Sequence, residues 1–189
     1  MKRISIFVSG NGTNLQRIAE YFKDRDDVEI VNVVCNNPKA YSIERAKNLN
    51  IPLRMITKAD FNSQDFVNEM LGLNLDLIVL AGFLWKIPEA LVRAFPRKIV
   101  NIHPALLPKY GGKGFYGEHV HEAVVAAKEP VSGITIHYVD EVYDNGETIF
   151  QATVELDDNE TPDSLAAKIH VLEQRHFPVV IDSVLAEKR

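Results

Sequence analysis

The sequence predicts an α/β protein in which a mostly parallel central sheet is flanked by helices and is followed by a C-terminal antiparallel portion and a long final helix. Over about the first hundred residues, short apolar runs rich in β-branched residues alternate with longer amphipathic segments. These apolar runs are continuous, which is typical of strands buried on both faces of a parallel sheet. After residue 101, two strand-like segments joined by a turn precede one long helical segment.

Each predicted element has a local sequence signal. The apolar runs predict strands over residues 4–8, 28–35, 51–56, 75–81, 98–101, 131–139 and 148–156. Amphipathic segments predict helices over residues 14–23, 42–49, 63–71, 88–94 and 118–127, with Pro88 in the first turn of its helix. Between residues 104 and 117, two prolines and four glycines predict a long loop.

The last helix has a recognisable beginning. Thr161 is a favourable N-cap residue, and Pro162 suits the first helical position. The apolar face of this helix carries Leu165, Ile169 and Leu172. Pro178 is expected to kink the helix because proline cannot donate a backbone hydrogen bond.

Composition bounds the class of protein. The 189 residues are expected to form one domain, residues 1–189, with 46% hydrophobic residues and a net charge of -5. With that net charge, the chain as a whole lacks the basic surface that is typical of nucleic-acid-binding proteins. No apolar stretch approaches the ~20 residues that span a bilayer. No secretory signal is visible, and Cys35 is expected to be a reduced core thiol. We therefore predict a cytoplasmic protein without nucleic-acid or membrane partners, and leave monomer and homodimer both open.

A glycine-containing turn lies between the first predicted strand and helix. It reads Ser9-Gly10-Asn11-Gly12-Thr13-Asn14 and matches neither the Walker pattern nor G-x-G-x-x-G. Glycine permits a close approach of the backbone, and the free N–H groups of a helix start favour an anion such as a phosphate. The alternative is an ordinary strand-to-helix turn with an N-cap residue.

The end of the fifth predicted strand carries Asn101 and His103, followed by Pro104. Alternation along a strand places the amide and the imidazole on the same side. Together they could polarise a carbonyl and stabilise an oxyanion. The alternative is a structural histidine that bonds a loop carbonyl.

Asp144 lies in the turn that joins the last two strands, beside Asn145-Gly146. If it approached His103, it would raise the pKa of the imidazole and orient the ring. Aspartate is also common in turns for purely structural reasons.

The other histidines give weaker signals. His137 could face either the cleft or the core, and His119 with His121 lacks the further residues of a metal site, so we predict no metal. His170 and Glu173 are three residues apart and share a helix face, which could simply be solvated.

The segment 81–87, which follows the fourth strand and contains Phe83 and Trp85, could line a slot for a flat heterocycle. Core packing is the alternative interpretation of these apolar residues.

Several segments together resemble the glycinamide ribonucleotide formyltransferases, a family of folate-dependent formyltransferases. Residues 6–15, 79–83, 132–139 with Asp144, and 173–178 resemble successive parts of that family. Residues 101–110, which begin Asn101-Ile102-His103-Pro104, resemble the signature of the formyltransferase superfamily. The resemblance covers essentially the whole chain in order, and the turn at residues 10–14 narrows it to this family.

The resemblance implies a Rossmann-like formyltransferase fold and transfer of a formyl group from 10-formyltetrahydrofolate, a co-substrate, to the amine of glycinamide ribonucleotide. It implies that residues 1–100 hold the ribonucleotide phosphate and that residues 101–189 carry catalysis and folate binding. It assigns phosphate and ribose contacts to Gly12, Thr13, Asn14, His170 and Glu173. It assigns folate contacts, largely through backbone groups, to Leu84, Trp85, Lys86, Ile87, Val139 and Asp140.

Four features depart from the family pattern. His170 stands where lysine or glutamine is expected, and Trp85 and Gln64 stand where arginine is common. Residues 111–121 form a longer segment than in the better-known members, and its glycines suggest a mobile lid near the amine site.

The implied mechanism uses three side chains. Asn101 and a protonated His103 donate hydrogen bonds to the formyl oxygen as the amine attacks, and Asp144 keeps the pKa of His103 raised. No covalent intermediate is required, because the amine is itself a nucleophile.

Three alternatives remain at the level of sequence. A formyltetrahydrofolate hydrolase would use the same three residues with water, but has no use for a phosphate turn. A methionyl-tRNA formyltransferase shares the Asn-x-His-Pro segment but needs a basic domain for tRNA. A nucleotide-binding module without catalysis would leave Asn101 and His103 without a role.

Overall fold

The computed structural model describes residues 1–187, so the last two residues of the predicted domain lie outside the described residues. The strands are β1 (Lys2–Val8), β2 (Val28–Cys35), β3 (Leu53–Met55), β4 (Leu77–Leu80), β5 (Ile99–His103), β6 (Val131–Tyr138) and β7 (Thr148–Glu155). The helices are α1 (Thr13–Phe22), α2 (Ser42–Asn48), α3 (Lys58–Phe61), α4 (Gln64–Gly72), α5 (Glu89–Ala94), α6 (Glu118–Ala126) and α7 (Pro162–Ala186).

The strands form one sheet in the order β3-β2-β1-β4-β5-β6-β7. The first five strands pair in parallel, whereas β6 pairs antiparallel with both β5 and β7. The predicted fold class is therefore confirmed, including the antiparallel C-terminal portion and the long last helix.

Two apolar clusters cover the two faces of the sheet. Alternate strand residues divide between them: Ile4 and Ile6 belong to one cluster and Phe7 to the other. The first cluster packs against α1, α2, α6 and α7, and the second against α3, α4 and α5. Burial on both faces explains why these strands are continuously apolar. No helix in the described part of the chain has both the length and the apolar character required to span a membrane.

Two local details differ from the sequence predictions. The short helix α3 was not predicted, although Thr57 and Asp60 form a capping box at its start. Pro88 does not lie in the first turn of α5, because its backbone is extended and it occupies the N-cap position. Pro178, which is expected to kink the last helix, lies inside α7, and α7 continues to Ala186.

The sheet topology places the candidate site. The chain proceeds from β1 outward to β2 and β3, and then returns to the other side of β1 to form β4. The carboxyl ends of β1 and β4 therefore flank a switch point, where ligands of such sheets bind. The turn at residues 9–12 and the segment 81–87 lie on either side of it.

Gly133 in β6 allows a close approach by β7. A Cβ atom at this position would lie 1.9 Å from the carbonyl oxygen of Ala152. We expect Gly133→Ala to reduce the free energy of unfolding by roughly 3 kcal/mol, because β6 and β7 would have to separate. Urea denaturation would measure this change.

The matched control is Gly72→Ala at the end of α4, where nothing lies within 4 Å of the added Cβ. Because alanine favours a helix, this variant should be unchanged or more stable by up to ~1 kcal/mol. Similar losses in both variants would contradict the proposed cause.

Candidate active site

A cavity of about 560 Å³ lies at the carboxyl ends of β1, β4 and β5. The β6–β7 connection, residues 112–117 and one face of α7 complete its walls. All residues predicted for the site line this cavity: Gly12, Thr13, Asn14, Leu84, Trp85, Lys86, Ile87, Asn101, His103, Val139, Asp140, Asp144, His170 and Glu173. Gln64 is not among the lining residues.

His103 and Asp144 come together although they are 41 positions apart in the sequence. The Nδ1 atom of His103 lies 3.7 Å from Oδ2 of Asp144, an ion-pair distance rather than a hydrogen bond. The other ring nitrogen, Nε2, lies 2.7 Å from the carbonyl oxygen of Tyr110. Since a carbonyl only accepts, Nε2 carries a proton and Nδ1 is the nitrogen that can gain or lose one.

Asn101 pairs with His137. The sequence did not decide whether the His137 side chain faces the cleft or the core. The two residues are direct cross-strand neighbours in the β5–β6 pairing, and Asn101 Nδ2 lies 3.1 Å from His137 Nε2. His137 Nδ1 donates to the carbonyl of Tyr138, so its Nε2 accepts from the amide when the ring is neutral. His137 therefore lines the cavity and fixes the orientation of the Asn101 amide.

Asp144 lies between the two imidazole rings. Its second oxygen, Oδ1, is 3.7 Å from His137 Nε2, and Gly112 donates its backbone N–H to Oδ2 at 2.9 Å. Burial acts to raise the pKa of the Asp144 carboxyl, but His137, His103 and the Gly112 N–H together hold that pKa below its usual value. The carboxylate is thus ionised at neutral pH.

Protonation of His103 differs from the sequence expectation. Burial lowers the pKa of its imidazole, and the Asp144 charge and the Tyr110 carbonyl only partly oppose that effect. Asp144 acts in the predicted direction, but the net pKa lies below 6.5 instead of above it. At neutral pH the site therefore holds a neutral imidazole beside an ionised carboxylate.

His121 is a further cavity residue that the sequence did not assign. It lies in the first turn of α6, is 8% exposed, and its Nδ1 has no hydrogen-bond partner among the described residues. Burial lowers the pKa of its ring, so that it is neutral at pH 7. In the sequence, His121 stood out only because it lies two residues after His119. His119 itself is exposed and does not line the cavity.

The end of the cavity that is predicted to hold the phosphate is formed by the start of α1. Gly12 is the N-cap residue, has a φ of 78° and provides no side-chain cap. The side chain of Asn14 is engaged by α7: its Nδ2 donates to Glu173 at 3.1 Å, and its Oδ1 accepts from Gln174 at 2.9 Å. The backbone of Asn14, and not its amide, is therefore available to a ligand.

Glu173 has an unusual acidity for a carboxyl group. Burial raises its pKa from 4.5 to about 7, and the hydrogen bond from Asn14 opposes this only weakly. The carboxyl group is therefore partly protonated at neutral pH, which lowers its repulsion of a phosphate.

The predicted folate slot is apolar and is connected to the phosphate turn. Trp85 packs against Phe61 and Phe83, with ring centroids 5.8 and 6.2 Å apart. The backbone N–H of Leu84 donates to the buried hydroxyl of Ser9 at 2.9 Å. The Ser9 hydroxyl therefore connects this slot to the turn at residues 9–12.

The pKa of Glu173 predicts a pH dependence of stability. Because the folded state binds this proton more strongly than the unfolded state, stability is lost as pH rises from 4.5 through about 7. Relative to Glu173→Gln, the unchanged protein should lose about 3 kcal/mol of unfolding free energy over this range. Denaturant unfolding at several pH values would measure the difference.

Glu44→Gln is a suitable control, since Glu44 is exposed on α2. Its unfolding free energy should follow that of the unchanged protein at every pH. A constant difference between Glu173→Gln and the unchanged protein from acid to neutral pH would refute the raised pKa.

Comparisons with known proteins agree with this architecture. A family model described as formyl transferase matches residues 2–181. The phosphoribosylglycinamide formyltransferase of Bacillus subtilis (strain 168) is 36% identical over 191 residues, which cover 98% of this chain and 95% of the relative. The solved structure of the protein of that name from Bacillus halodurans superposes with a TM-score of 0.88 at 33% identity, covering 98% of this chain and 96% of the other.

Plant relatives are longer. The chloroplastic phosphoribosylglycinamide formyltransferase of Arabidopsis thaliana is 37% identical over 194 residues, covering 99% of this chain. The chain spans 66% of the length of that relative and 62% of the one from Vigna unguiculata. Since the family model matches most of the sequence and the Bacillus subtilis relative is matched over nearly its full length, the chain belongs to the formyl transferase family.

Proposed function

We propose that this protein transfers the formyl group of 10-formyltetrahydrofolate to the amine of glycinamide ribonucleotide, giving formylglycinamide ribonucleotide in purine biosynthesis. The observation that carries the proposal is a single cavity in which Asn101, His103 and Asp144 lie between a helix N-terminus and an apolar slot. The names of the relatives support the same reaction.

The two ends of the cavity differ in chemistry as the two substrates do. At the ribonucleotide end, the backbone of residues 12–14 and the start of α1 offer N–H groups to the phosphate, with His170 and Glu173 opposite. At the other end, residues 84–87 with Val139 and Asp140 accept the pterin, largely through backbone groups. The amine and the formyl carbon then meet beside His103.

His103 receives the first proton in this proposal. The substrate amine resembles an α-amino group with a pKa of about 8, so it arrives mainly as an ammonium ion. The neutral His103 accepts that proton at Nδ1, which leaves the amine free to attack and places the new imidazolium beside Asp144. The proton thus enters with the substrate, and a protonated histidine is not required in the free protein.

Asn101 and the imidazolium then stabilise the oxyanion. As the amine nitrogen bonds to the formyl carbon, the carbonyl oxygen gains charge, and Asn101 Nδ2 and His103 donate to it. The bond from that carbon to the folate nitrogen breaks when this nitrogen receives the proton held by His103, and the attacking nitrogen releases its remaining extra proton to water as the amide forms. Asp144 remains ionised and stabilises the charged ring throughout. His137 keeps the Asn101 amide turned toward its partner.

The hydrolase alternative uses the same three residues with water as the nucleophile. It gives no role to the phosphate end of the cavity or to the bond between Asn14 and Glu173. Measuring formate release with and without glycinamide ribonucleotide separates the two reactions, since only a hydrolase releases formate without the amine. The cytoplasmic location and the monomeric or homodimeric state remain predictions from sequence.

Removing either the His103 imidazole or the Asp144 charge should abolish most of the transfer. We expect His103→Ala and Asp144→Asn each to reduce kcat at least about 100-fold, because proton transfer and oxyanion stabilisation are both lost. Transfer from 10-formyltetrahydrofolate at saturating concentrations of both substrates would be followed by absorbance.

His119→Ala serves as the matched control, because this exposed histidine lies outside the cavity. Its kcat should stay within about 2-fold of the unchanged protein. Near-normal turnover of both site variants would eliminate the assignment of His103 and Asp144.

A further inference from the structure

We infer that Arg45 is a positioning residue for the phosphate end of the ribonucleotide, acting through Asn11. This inference rests on the proposed function. Arg45 belongs to α2 and is not among the residues that line the cavity. It therefore lies outside the proposed ribonucleotide site, and its effect must pass through the turn at residues 9–12.

The carbonyl groups of this turn are bound from the side away from the cavity. The carbonyl of Ser9 accepts from the Asn37 side chain at 3.0 Å, and that of Gly10 accepts from the backbone N–H of Ser42 at 3.1 Å. Both donors come from the connection between β2 and α2 or from the start of α2. Two successive peptide groups thus have fixed orientations.

Arg45 fixes the third peptide group, between Asn11 and Gly12, and also the side chain of Asn11. Its Nε donates to the carbonyl of Asn11 at 2.8 Å, and its Nη2 donates to the Asn11 side-chain oxygen at 2.8 Å. The guanidinium also lies over the ring of Tyr41, 5.0 Å from its centroid. A planar fork held on an aromatic face can make both bonds at once, whereas a lysine ammonium cannot reproduce this geometry.

Fixing the carbonyls also fixes the N–H groups. In a trans peptide the C=O and the next N–H point in opposite directions, so the N–H groups of Gly10, Asn11 and Gly12 are turned away from α2. Within the described part of the chain, none of these three N–H groups donates to another protein group. They are donors held ready for an anion at the start of α1.

The packing at Gly12 shows how closely α2 approaches the turn. A Cβ atom at Gly12 would lie 2.7 Å from Cβ of Ser42 and 3.3 Å from Cδ of Arg45. The helix that carries Arg45 therefore lies in direct contact with the N-cap residue of α1. Loss of the guanidinium would free Asn11 to rotate its peptide group while Ser42 still supports the rest of the turn.

The test compares Arg45→Met and Arg45→Lys with the unchanged protein. We expect both variants to raise KM for glycinamide ribonucleotide about 10-fold, with kcat and the KM for 10-formyltetrahydrofolate within about 2-fold. Arg45→Lys keeps the positive charge but loses the fork, so its behaviour should resemble that of Arg45→Met. Arg54→Met is the control, because Arg54 pairs with Glu69 on the surface.

A second measurement is independent of turnover. The affinity for ribose 5-phosphate, measured by calorimetry, should fall by a similar factor in both Arg45 variants and remain unchanged in Arg54→Met. Absence of formyl transfer by the unchanged protein would refute the proposed function, while the ribose 5-phosphate affinities would still test Arg45.

Three results would overturn the inference. The first is an unchanged affinity for ribose 5-phosphate in Arg45→Met. The second is full activity and affinity in Arg45→Lys, which would assign the effect to charge and not to the held turn. The third is an equal loss of kcat and of affinity for both substrates, which would indicate general disruption of the fold.

Discussion

The Asp144 carboxylate lies between two buried imidazole rings, and the arrangement of the site depends on that contact. Each oxygen faces one ring nitrogen at 3.7 Å, and one oxygen also accepts the N–H of Gly112. Electrostatic interactions of this kind are stronger in a poorly solvated cavity than in water. The carboxylate can therefore stay ionised despite its burial and can stabilise a proton that reaches His103.

The two parts of the sheet contribute different components to this arrangement. The parallel strands end at one edge and provide the phosphate turn, the apolar slot and His103. The antiparallel strand β6 then places His137 directly opposite Asn101, and its connection to β7 carries Asp144 back over the end of β5. The proposed chemistry thus needs both parts of the sheet, because Asn101 and His103 lie on β5 and Asp144 follows β6.

Much of the fold followed from the sequence because strands buried on both faces leave continuous apolar runs, as in β4. The four-residue helix α3 was missed because it is too short to show helical periodicity, although its capping box was a readable signal. His137 could not be assigned because the face of an isolated strand is decided by its register with β5. The predicted direction of the His103 pKa shift was wrong. The prediction considered only the attraction of Asp144, which raises the pKa, whereas the larger effect is burial, which lowers it and is set by the whole fold.

The hydrogen bond from Gly112 to Asp144 links a glycine-rich surface segment to the acidity of a buried group. Residues 112–117 form a wall of the cavity, so under the proposed function changes in their length or sequence would alter which acceptor amines fit. The same changes would move the N–H that helps to keep the carboxylate ionised. A change along this segment that admits a different acceptor amine would therefore also weaken the ionisation of Asp144, unless the backbone path at Gly112 is preserved.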